Sequence, residues 1–368
     1  MIGEGDERLL VGPQSVDDAG VVELEGNTGA PTDTLMVQTV DYFPPVVDDA
    51  RAYGRIAAAN ALSDVYAMGG RAYSALNLAG FPRDFSDEWI GEILAGGFDA
   101  MKEAGCVVAG GHTIQAEEAL FGFAVTGMIE RKQLVTNAGA KVGDLLYLTK
   151  PIGMGTMTTS SKRGEIDAAT MQPAIEQMAT LNRVAAEGMT SVGANACTDV
   201  TGFGLAGHAR NVGAASGVTM QIELASVPVF DGAYELAAKG FCSGGATRGR
   251  AALGDQISLA DGLDETRVSL AYDAETSGGL LISVTEDNAA ELEAALTDRG
   301  VLAARIAARS KRALGGATAD PDDEALRSFL QGARLEQQLY DAFVAHGYSA
   351  DDLPTLSESD LLEVPGMK

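Results

Sequence analysis

The sequence predicts an α/β protein with two mixed domains and a small C-terminal helical segment. Helix-like and strand-like segments alternate through both halves of the chain, and 368 residues exceed the size of one average domain. After Gly315 the composition shifts, and the acidic residues 320–324 lead into a helical pattern. We therefore expect domains at residues 1–150 and 151–318 and a helical appendage at residues 325–368.

The first half carries clear helix boundaries. An Ala-rich helix is expected at residues 51–68 with Gly69 and Gly70 as its stop, and a second helix should begin after Ser86 as N-cap. Apolar and β-branched or aromatic residues favour strands at residues 35–39, 120–125 and 145–149. These segments predict the strand and helix alternation of the first domain.

The second half opens after a turn-rich stretch at residues 150–153. Its pattern predicts a helix at 168–192, a strand at 219–224, a helix at 233–238, a strand at 280–284 and a helix at 288–296. The appendage resembles the front of a sterile alpha motif, with Leu335, Leu339 and Phe343 at helical spacing. It could bind a protein partner, or it could be a capping helix on the second domain.

Composition excludes several classes of protein. The chain has no run of roughly 18 apolar residues and its first residues lack a secretory signal, so we expect a cytoplasmic protein without a membrane role. Cys106, Cys197 and Cys242 are far apart and odd in number, which argues against disulfides and zinc knuckles. A formal charge of −26 argues against nucleic-acid binding and is compatible either with high salt or with solubility alone.

Aspartates in apolar or small-residue surroundings are the strongest functional signal. They are Asp18, Asp41, Asp64 and Asp199. Each alone is more typical of a cap or turn, but carboxylates are seldom buried without a partner, and oxygen ligands suit magnesium bound with substrate phosphates. Asp64 follows Asn60 by one helical turn, so the two share a helix face, either as a functional pair or as a buried hydrogen bond. We expect Asp41 to follow a strand and Asp18 to precede one.

Glycine-rich stretches could supply phosphate contacts. Gly110 and Gly111 follow a strand-like run and precede His112, while residues 276–281 could form a second phosphate turn, although a tight strand entry is favoured there. Residues 202–207 contain a literal G-x-G-x-x-G, with Glu223 downstream. This pattern is found in dinucleotide-binding sites. That interpretation is weak, because residues 193–199 do not look like a buried strand and Asp199 would repel pyrophosphate.

Several blocks together resemble selenophosphate synthetase, also called selenide, water dikinase. The blocks are VDYFPPVVDDARAYGRIAAANALSDVYAMGG, AGGHTI, ACTDVTGFGLAGH and ETSGGLL, and the resemblance covers roughly residues 8–315. It implies an architecture like that of aminoimidazole ribonucleotide synthetase, with a homodimer formed through the N-terminal halves. The implied reaction converts selenide, ATP and water to selenophosphate, orthophosphate and AMP.

The resemblance also implies roles for individual residues. Magnesium ligands are implied at Asp18, Asp64 and Asp199, and ATP contacts at Asp41 and Asp64. Further nucleotide contacts are implied at Ser15, Val16 and Asp17, with Gly110, Gly111 and His112 coming from the partner subunit. Magnesium would then be the cofactor and ATP and selenide the substrates.

One family feature has no counterpart in the sequence as given. Family members carry, upstream of the segment matching residues 9–12, a glycine-rich stretch with a reactive cysteine or selenocysteine and a lysine, so the catalytic residues here are unknown. Cys106 and Cys197 are expected to be packing residues. We expect a selenophosphate synthetase body that has lost the N-terminal segment on which its activity depends, with two alternatives: a non-catalytic Mg-ATP-binding partner, or a related ATP-dependent kinase or synthetase.

Overall fold

A six-stranded mixed sheet organises the first half of the chain in the computed structural model, which describes residues 6–13, 15–26, 30–306 and 311–312. The strands are β1 (Leu9–Val11), β2 (Gly20–Glu25), β3 (Pro31–Phe43), β4 (Arg71–Phe81), β5 (Val107–Gln115) and β6 (Leu120–Glu130). Their spatial order is β1-β2-β3-β6-β4-β5, and only β4 and β5 pair in parallel. This parallel pair is joined by a helix, as a crossover connection requires.

Two helices cover the buried face of this sheet: α1 (Ala50–Ala67) and α2 (Asp87–Glu103). Asp49 caps α1 by accepting the Ala52 N–H, and Ser86 caps α2 as predicted. Glycines let the two backbones touch, since a Cβ on Gly54 would lie 1.9 Å from the Ile93 carbonyl oxygen and one on Gly96 would lie 2.0 Å from that of Arg51. The small residues of α1, glycine and alanine, therefore allow other elements to pack closely against it.

A four-stranded antiparallel sheet forms the centre of the second half. Its order is β11-β7-β10-β8, with β7 (Leu145–Leu148), β8 (Ala196–Asp199), β10 (Leu280–Val284) and β11 (Ala304–Arg305). A separate short pair joins β9 (Val218–Thr219) to β12 (Lys311–Arg312). Every residue of β7, β8 and β10 is buried, so these strands show continuous apolar runs rather than alternation.

Eight helices surround these strands in the described residues of the second half. They are α3 (Met154–Lys162), α4 (Ala168–Ala179), α5 (Arg183–Val192), α6 (Gly204–Ser216), α7 (Ala233–Ala238), α8 (Gly244–Leu253), α9 (Glu265–Ala271) and α10 (Glu286–Thr297). The predictions at 233–238, 280–284 and 288–296 are confirmed, whereas α6 and the three helices α3, α8 and α9 were not predicted. Helices α3, α8 and α9 are short, and α3 and α8 are rich in Gly, Ser or Thr, so they give weak periodic signals.

Two sequence predictions in the second half are wrong. The single helix expected at 168–192 is two helices, because the backbone of Thr180 is extended and Asn182 turns inward to donate to Ser63 and Gly278. The strand expected at 219–224 is only β9, and Leu224 begins a short 3-10 helix. Met220 and Ile222 each pack against the core, and their alternate spacing in the sequence resembles that of a strand.

The largest hydrophobic cluster continues across both halves of the chain. It joins residues of α1 such as Leu62 to Tyr147 on β7 and Leu280 on β10. The described residues up to Arg312 belong to one compact unit, and the division at residue 150 stays a prediction. The expected helical appendage, with Leu335, Leu339 and Phe343, lies outside the described residues. No helix in the described ranges is long and apolar enough to cross a bilayer.

Candidate functional site

Aspartates from four separate segments approach one another where the two halves meet. Asp64 lies on α1 and Asp199 ends β8, while Asp18 precedes β2 as expected. Asp41 lies inside β3 rather than after it, two residues before the strand ends. Burial raises the pKa of Asp64, and the charges of Asp199, Asp41 and Asp18 raise it further. The structure therefore brings the four carboxyl groups together.

Polar side chains on β3 and α1 orient Asp41 and Asp64. Asn60 donates through Nδ2 to Asp41 Oδ2 at 2.7 Å, and its Oδ1 accepts the Ser277 N–H at 2.9 Å. Thr39 donates through Oγ1 to Asp64 Oδ2 at 2.5 Å. Asn60 and Asp64 do share a helix face, but Asn60 bonds Asp41 and the loop before β10 rather than Asp64.

Asp18 and Asp199 each leave one buried carboxylate oxygen without a partner. Thr198 Oγ1 donates to Asp18 Oδ1 at 2.7 Å, but Oδ2 of Asp18 and Oδ2 of Asp199 accept no hydrogen bond from the described residues. Burial raises the pKa of Asp199 to about 6, although a hydrogen bond from Ser63 works in the opposite direction. Because buried charges require compensation, this pair of oxygens is suited to a cation.

The oxygen atoms of Asp18 and Asp199 suit a magnesium ion that also binds substrate, rather than a metal ion enclosed by protein ligands alone. Within the described part of the chain, no group of three or more His, Cys, Asp or Glu side chains is arranged to hold a metal ion. Magnesium commonly binds through one or two carboxylates and completes its octahedral shell with water and substrate phosphates. The two free oxygens supply hard ligands of that kind and leave positions open for phosphate.

Lys150 adds a buried positive charge beside this site. Its Nζ donates to the carbonyl oxygens of Thr180 at 2.7 Å and Ser277 at 2.9 Å. Burial lowers the pKa of Lys150 to about 7, and the nearby charge of Asp199 opposes that shift. Lys150 therefore ties the loop before β10 to the loop after α4 and partly offsets the charge of Asp199.

His208 orients the hydroxyl group that bonds Asp18. The Thr201 N–H donates to His208 Nε2 at 3.0 Å, so the ring proton belongs on Nδ1. Nδ1 lies 3.3 Å from Thr198 Oγ1 and can donate to it, which leaves the Thr198 proton for Asp18. Burial lowers the pKa of His208 to about 4, so the imidazole stays neutral at pH 7.

The segment before β2 lies at the edge of this site. Ser15 Oγ donates to the Gly12 carbonyl oxygen at 2.9 Å, and Val16 is 57% exposed. Asp17 Oδ1 accepts the Asn137 N–H at 2.6 Å, and Asn137 Nδ2 donates to the Val16 carbonyl oxygen. Asn137 thus anchors the residues immediately before Asp18.

Gly110, Gly111 and His112 lie elsewhere on the sheet. The expectation that the glycines end a strand is wrong, because β5 continues to Gln115. Gly111 packs against β4, where a Cβ would lie 2.3 Å from the Asn77 carbonyl oxygen. In the sheet order, β6 and β4 separate β5 from β3, so within one chain these residues stand apart from Asp41. They line a cavity of about 620 Å³ with Asn77 and Lys102.

The loop before β10 packs closely against the strand that carries Asp199. A Cβ on Gly278 would lie 2.1 Å from the Val200 carbonyl oxygen, and one on Gly279 would lie 2.3 Å from the Lys150 nitrogen. This close approach agrees with the structural role favoured for residues 276–281. Ser277 has φ of 50°, a left-handed conformation that is uncommon for serine.

Two of the G-x-G-x-x-G glycines, Gly204 and Gly207, are closely packed, whereas Gly202 has open space around it. Contrary to expectation, a fully buried strand, β8, does precede them. Gly204 has φ of 68° and begins α6, and a Cβ there would lie 2.7 Å from the Asp273 carbonyl oxygen. Glu223 is exposed and lies outside β9, so the arrangement lacks the acidic strand end of a dinucleotide site.

Sequence reasoning missed several polar partners of the aspartates: Thr39, Ser63, Thr198, Lys150 and His208. The signal was present for Thr198 and His208, which flank Asp199 in the same sequence block. Thr39 and Ser63 are sequence neighbours of Asp41 and Asp64, but they bond Asp64 and Asp199, so their partners depend on the tertiary fold. Lys150 follows β7 and comes near Asp199 only in the folded chain.

Comparison with known proteins establishes the fold class of the chain. Residues 16–129 match the model of the AIR synthase related protein N-terminal domain, and residues 141–314 match that of the C-terminal domain. Thiamine-monophosphate kinase from Stenotrophomonas maltophilia shares the fold with a TM-score of 0.62 at 19% identity, covering 84% of this chain and 91% of that one. The chain therefore has the AIR synthase related two-domain α/β fold.

The family follows from sequence. The chain is 46% identical over 306 residues to selenide, water dikinase from Caldanaerobacter subterraneus, covering 83% of this chain and 87% of that relative. A solved hydrogenase maturation protein HypE in complex with ATP is more distant, at 18% identity and a TM-score of 0.59 over 83% of this chain and 82% of that one. The chain belongs to the selenide, water dikinase family, whose members are enzymes.

Proposed function

We propose that this protein binds Mg-ATP at the four-aspartate site and phosphorylates selenide, giving selenophosphate, orthophosphate and AMP. Family membership supports the substrate, and the relative's name states it for that protein. The observation that carries the proposal is the pair of unpartnered buried oxygens on Asp18 and Asp199. They come from opposite halves of the chain, so the folded protein assembles them.

Asp18 and Asp199 would hold the magnesium through their free oxygens, and Asp64, whose pKa burial and their charges raise, would join them once metal and phosphates are bound. The metal would neutralise phosphate charge and so favour its transfer. Thr198 and Thr39 donate to Asp18 and Asp64, which leaves the second oxygen of Asp18 directed to the site. Lys150 offsets part of the carboxylate charge before substrate arrives.

ATP contacts are proposed at two places. Asp41, Asp64 and the segment Ser15, Val16 and Asp17 adjoin the carboxylate site in the same chain. Gly110, Gly111 and His112 lie across the sheet, and a second subunit would bring them to the nucleotide. Exposed apolar side chains on β3, β4 and β5, among them Tyr42, Tyr73, Leu76 and Ile114, support a homodimer through this sheet.

The oligomeric state tests this arrangement directly. Leu76→Asp should shift a dimer to monomer in light scattering and weaken ATP binding, because the partner's residues would be lost. A monomeric wild-type chain that still binds Mg-ATP would contradict the shared site. We also propose the division into domains 1–150 and 151–318 and a cytoplasmic location.

Phosphorus NMR tests the reaction. The chain, extended at its N-terminus by the glycine-rich Cys-Lys segment of a family member and supplied with ATP, magnesium and selenide under reducing, anaerobic conditions, should give selenophosphate and AMP in equal amounts. Omission of selenide is the control. Magnesium-dependent ATP binding without AMP formation would instead support a non-catalytic nucleotide-binding partner. Turnover with thiamine monophosphate in place of selenide would reassign the chain to a related kinase.

A further inference from the structure

A second cavity lies apart from the carboxylate site, between the end of α1, the start of α5 and the ends of β4 and β6. Its volume is about 450 Å³, within the range of small-molecule sites. None of the four clustered aspartates lines it. Its walls include Tyr66, Arg71, Met128 and Arg183.

Two buried donors on its wall have no acceptor. The Tyr66 side chain is 1% exposed, and its hydroxyl has no hydrogen-bond partner among the described residues. Arg183 Nε is likewise buried without one, although its Nη1 donates to the Glu103 carbonyl oxygen at 3.0 Å. Glu187 Oε1 lies 3.8 Å from Nε, which is too far for a hydrogen bond. Unsatisfied buried groups are costly, so this pair requires an explanation.

The two donors act on the same space. Tyr66 and Arg183 line the same cavity, and the charge of Arg183 opposes the rise that burial causes in the pKa of Tyr66. A ligand that accepts from both groups at once must present two oxygens. The two oxygens of a carboxylate match a phenol O–H and a guanidinium N–H.

The rest of the cavity indicates an organic ligand. Arg71 adds a second positive charge, and the acidic Glu130 is paired with Lys132 at 2.9 Å. Glu187 also lines the cavity, so two carboxylates balance the two arginines, but its Oε1 lies 3.8 Å from Arg183 Nε and does not satisfy that donor. Ala72, Met128, Ile129 and Ala186 supply an apolar wall. The oxygens of a phosphate would lie against this apolar wall without hydrogen-bond partners, whereas an apolar ligand body would pack against it.

We propose that this cavity binds a small organic carboxylate with a compact apolar body, whose oxygens accept from Tyr66 Oη and Arg183 Nε. The site is independent of the nucleotide site, because its lining and its donors are different residues.

Benzoate is the probe, with benzamide and benzylamine as neutral and cationic controls of the same shape. Ligand-observed NMR and calorimetry on the full chain should show saturable benzoate binding and at least tenfold weaker binding of both controls. Benzoate binding should persist in Asp64→Asn, which separates this site from the nucleotide site. Equal binding of benzamide, or no benzoate binding, would overturn the proposal.

Matched variants locate the contact. Tyr66→Phe removes one hydroxyl and should weaken benzoate binding at least tenfold, and Arg183→Gln should do the same. Tyr53→Phe is the control, because Tyr53 is equally buried on α1 but donates to the Phe43 carbonyl oxygen away from the cavity. Thermal unfolding verifies that each variant folds. Unchanged affinity in folded Tyr66→Phe would place benzoate elsewhere and refute the assignment.

Discussion

Thr198 donates its hydroxyl proton to Asp18 Oδ1 across 2.7 Å, although 180 positions separate the two residues. The bond joins the segment before β2 to the buried strand β8, and so joins the two halves of the chain. It also fixes which oxygen of Asp18 remains available. That oxygen, Oδ2, is one of the two on which the proposed magnesium site depends.

Asp64→Asn should weaken Mg-ATP binding at least tenfold while the protein stays folded. Burial and neighbouring carboxylates raise the pKa of Asp64, so a neutral side chain of equal size relieves repulsion in the free protein. Thermal unfolding without ligand should show equal or greater stability, and calorimetry should show the loss of affinity.

A surface variant controls for the charge change. Asp167 caps α4 from an exposed position, and asparagine caps almost as well, so Asp167→Asn should change neither property appreciably. Unaltered nucleotide affinity in Asp64→Asn would count against a ligand role.

His208 should make the protein sensitive to acid. Its pKa falls from 6.5 to about 4 on folding because of burial, so the stability it contributes is present above pH 6.5 and is lost as the pH falls through 4. The loss amounts to roughly 3 kcal/mol for a shift of this size. Urea unfolding of wild type and His208→Gln at pH 7 and pH 4.5 measures it.

The difference between the two proteins isolates the histidine. Asp18, Asp64 and Asp199 have raised pKa values, and their contribution has the opposite sign because stability is lost as the pH rises. These groups are common to both proteins. His208→Gln should therefore lose less stability on acidification than wild type does, and parallel profiles would contradict a buried neutral imidazole.

Two tyrosines on α1 should respond oppositely to loss of the hydroxyl. Tyr66→Phe should raise the free energy of unfolding by about 1 kcal/mol, because the buried hydroxyl has no partner. Tyr53→Phe should lower it by about 1 kcal/mol, because the hydroxyl donates to the Phe43 carbonyl oxygen. Denaturant unfolding without ligand measures both, and a destabilised Tyr66→Phe would show that its hydroxyl is satisfied.

The contact between α1 and α2 should reject any added side chain. In Gly96→Ala the new Cβ would lie 2.0 Å from the Arg51 carbonyl oxygen, so the helices must separate at a cost of about 3 kcal/mol. Gly91 on the same helix has no atom within 4 Å of an added Cβ. Gly91→Ala should therefore stabilise the protein by about 0.5–1 kcal/mol through helix propensity. Similar unfolding midpoints for the two variants would refute the close contact.

Sequence patterns predicted the fold class because it depends on strong local signals, whereas the grouping of the aspartates in one site was implied by the family resemblance. Asp64 lies in the predicted Ala-rich helix, whereas the buried strand that ends at Asp199 was not predicted. The pairing of Asn60 with Asp41 was not predictable, since it depends on where β3 lies against α1. For the same reason, the break at Asn182 was missed: its side chain bonds Ser63, a tertiary partner that no local pattern reveals.

Helix α1 is buried over 14 of its 18 residues, and different parts of the chain cover its different sides. Ile56 packs in a methionine-rich cluster with Met154, Met157 and Met178, all from beyond residue 150. In a fragment that ends near residue 150, this side of α1 would be an apolar surface exposed to water. Expression of either half alone should yield aggregates, and mixing the two halves should restore solubility.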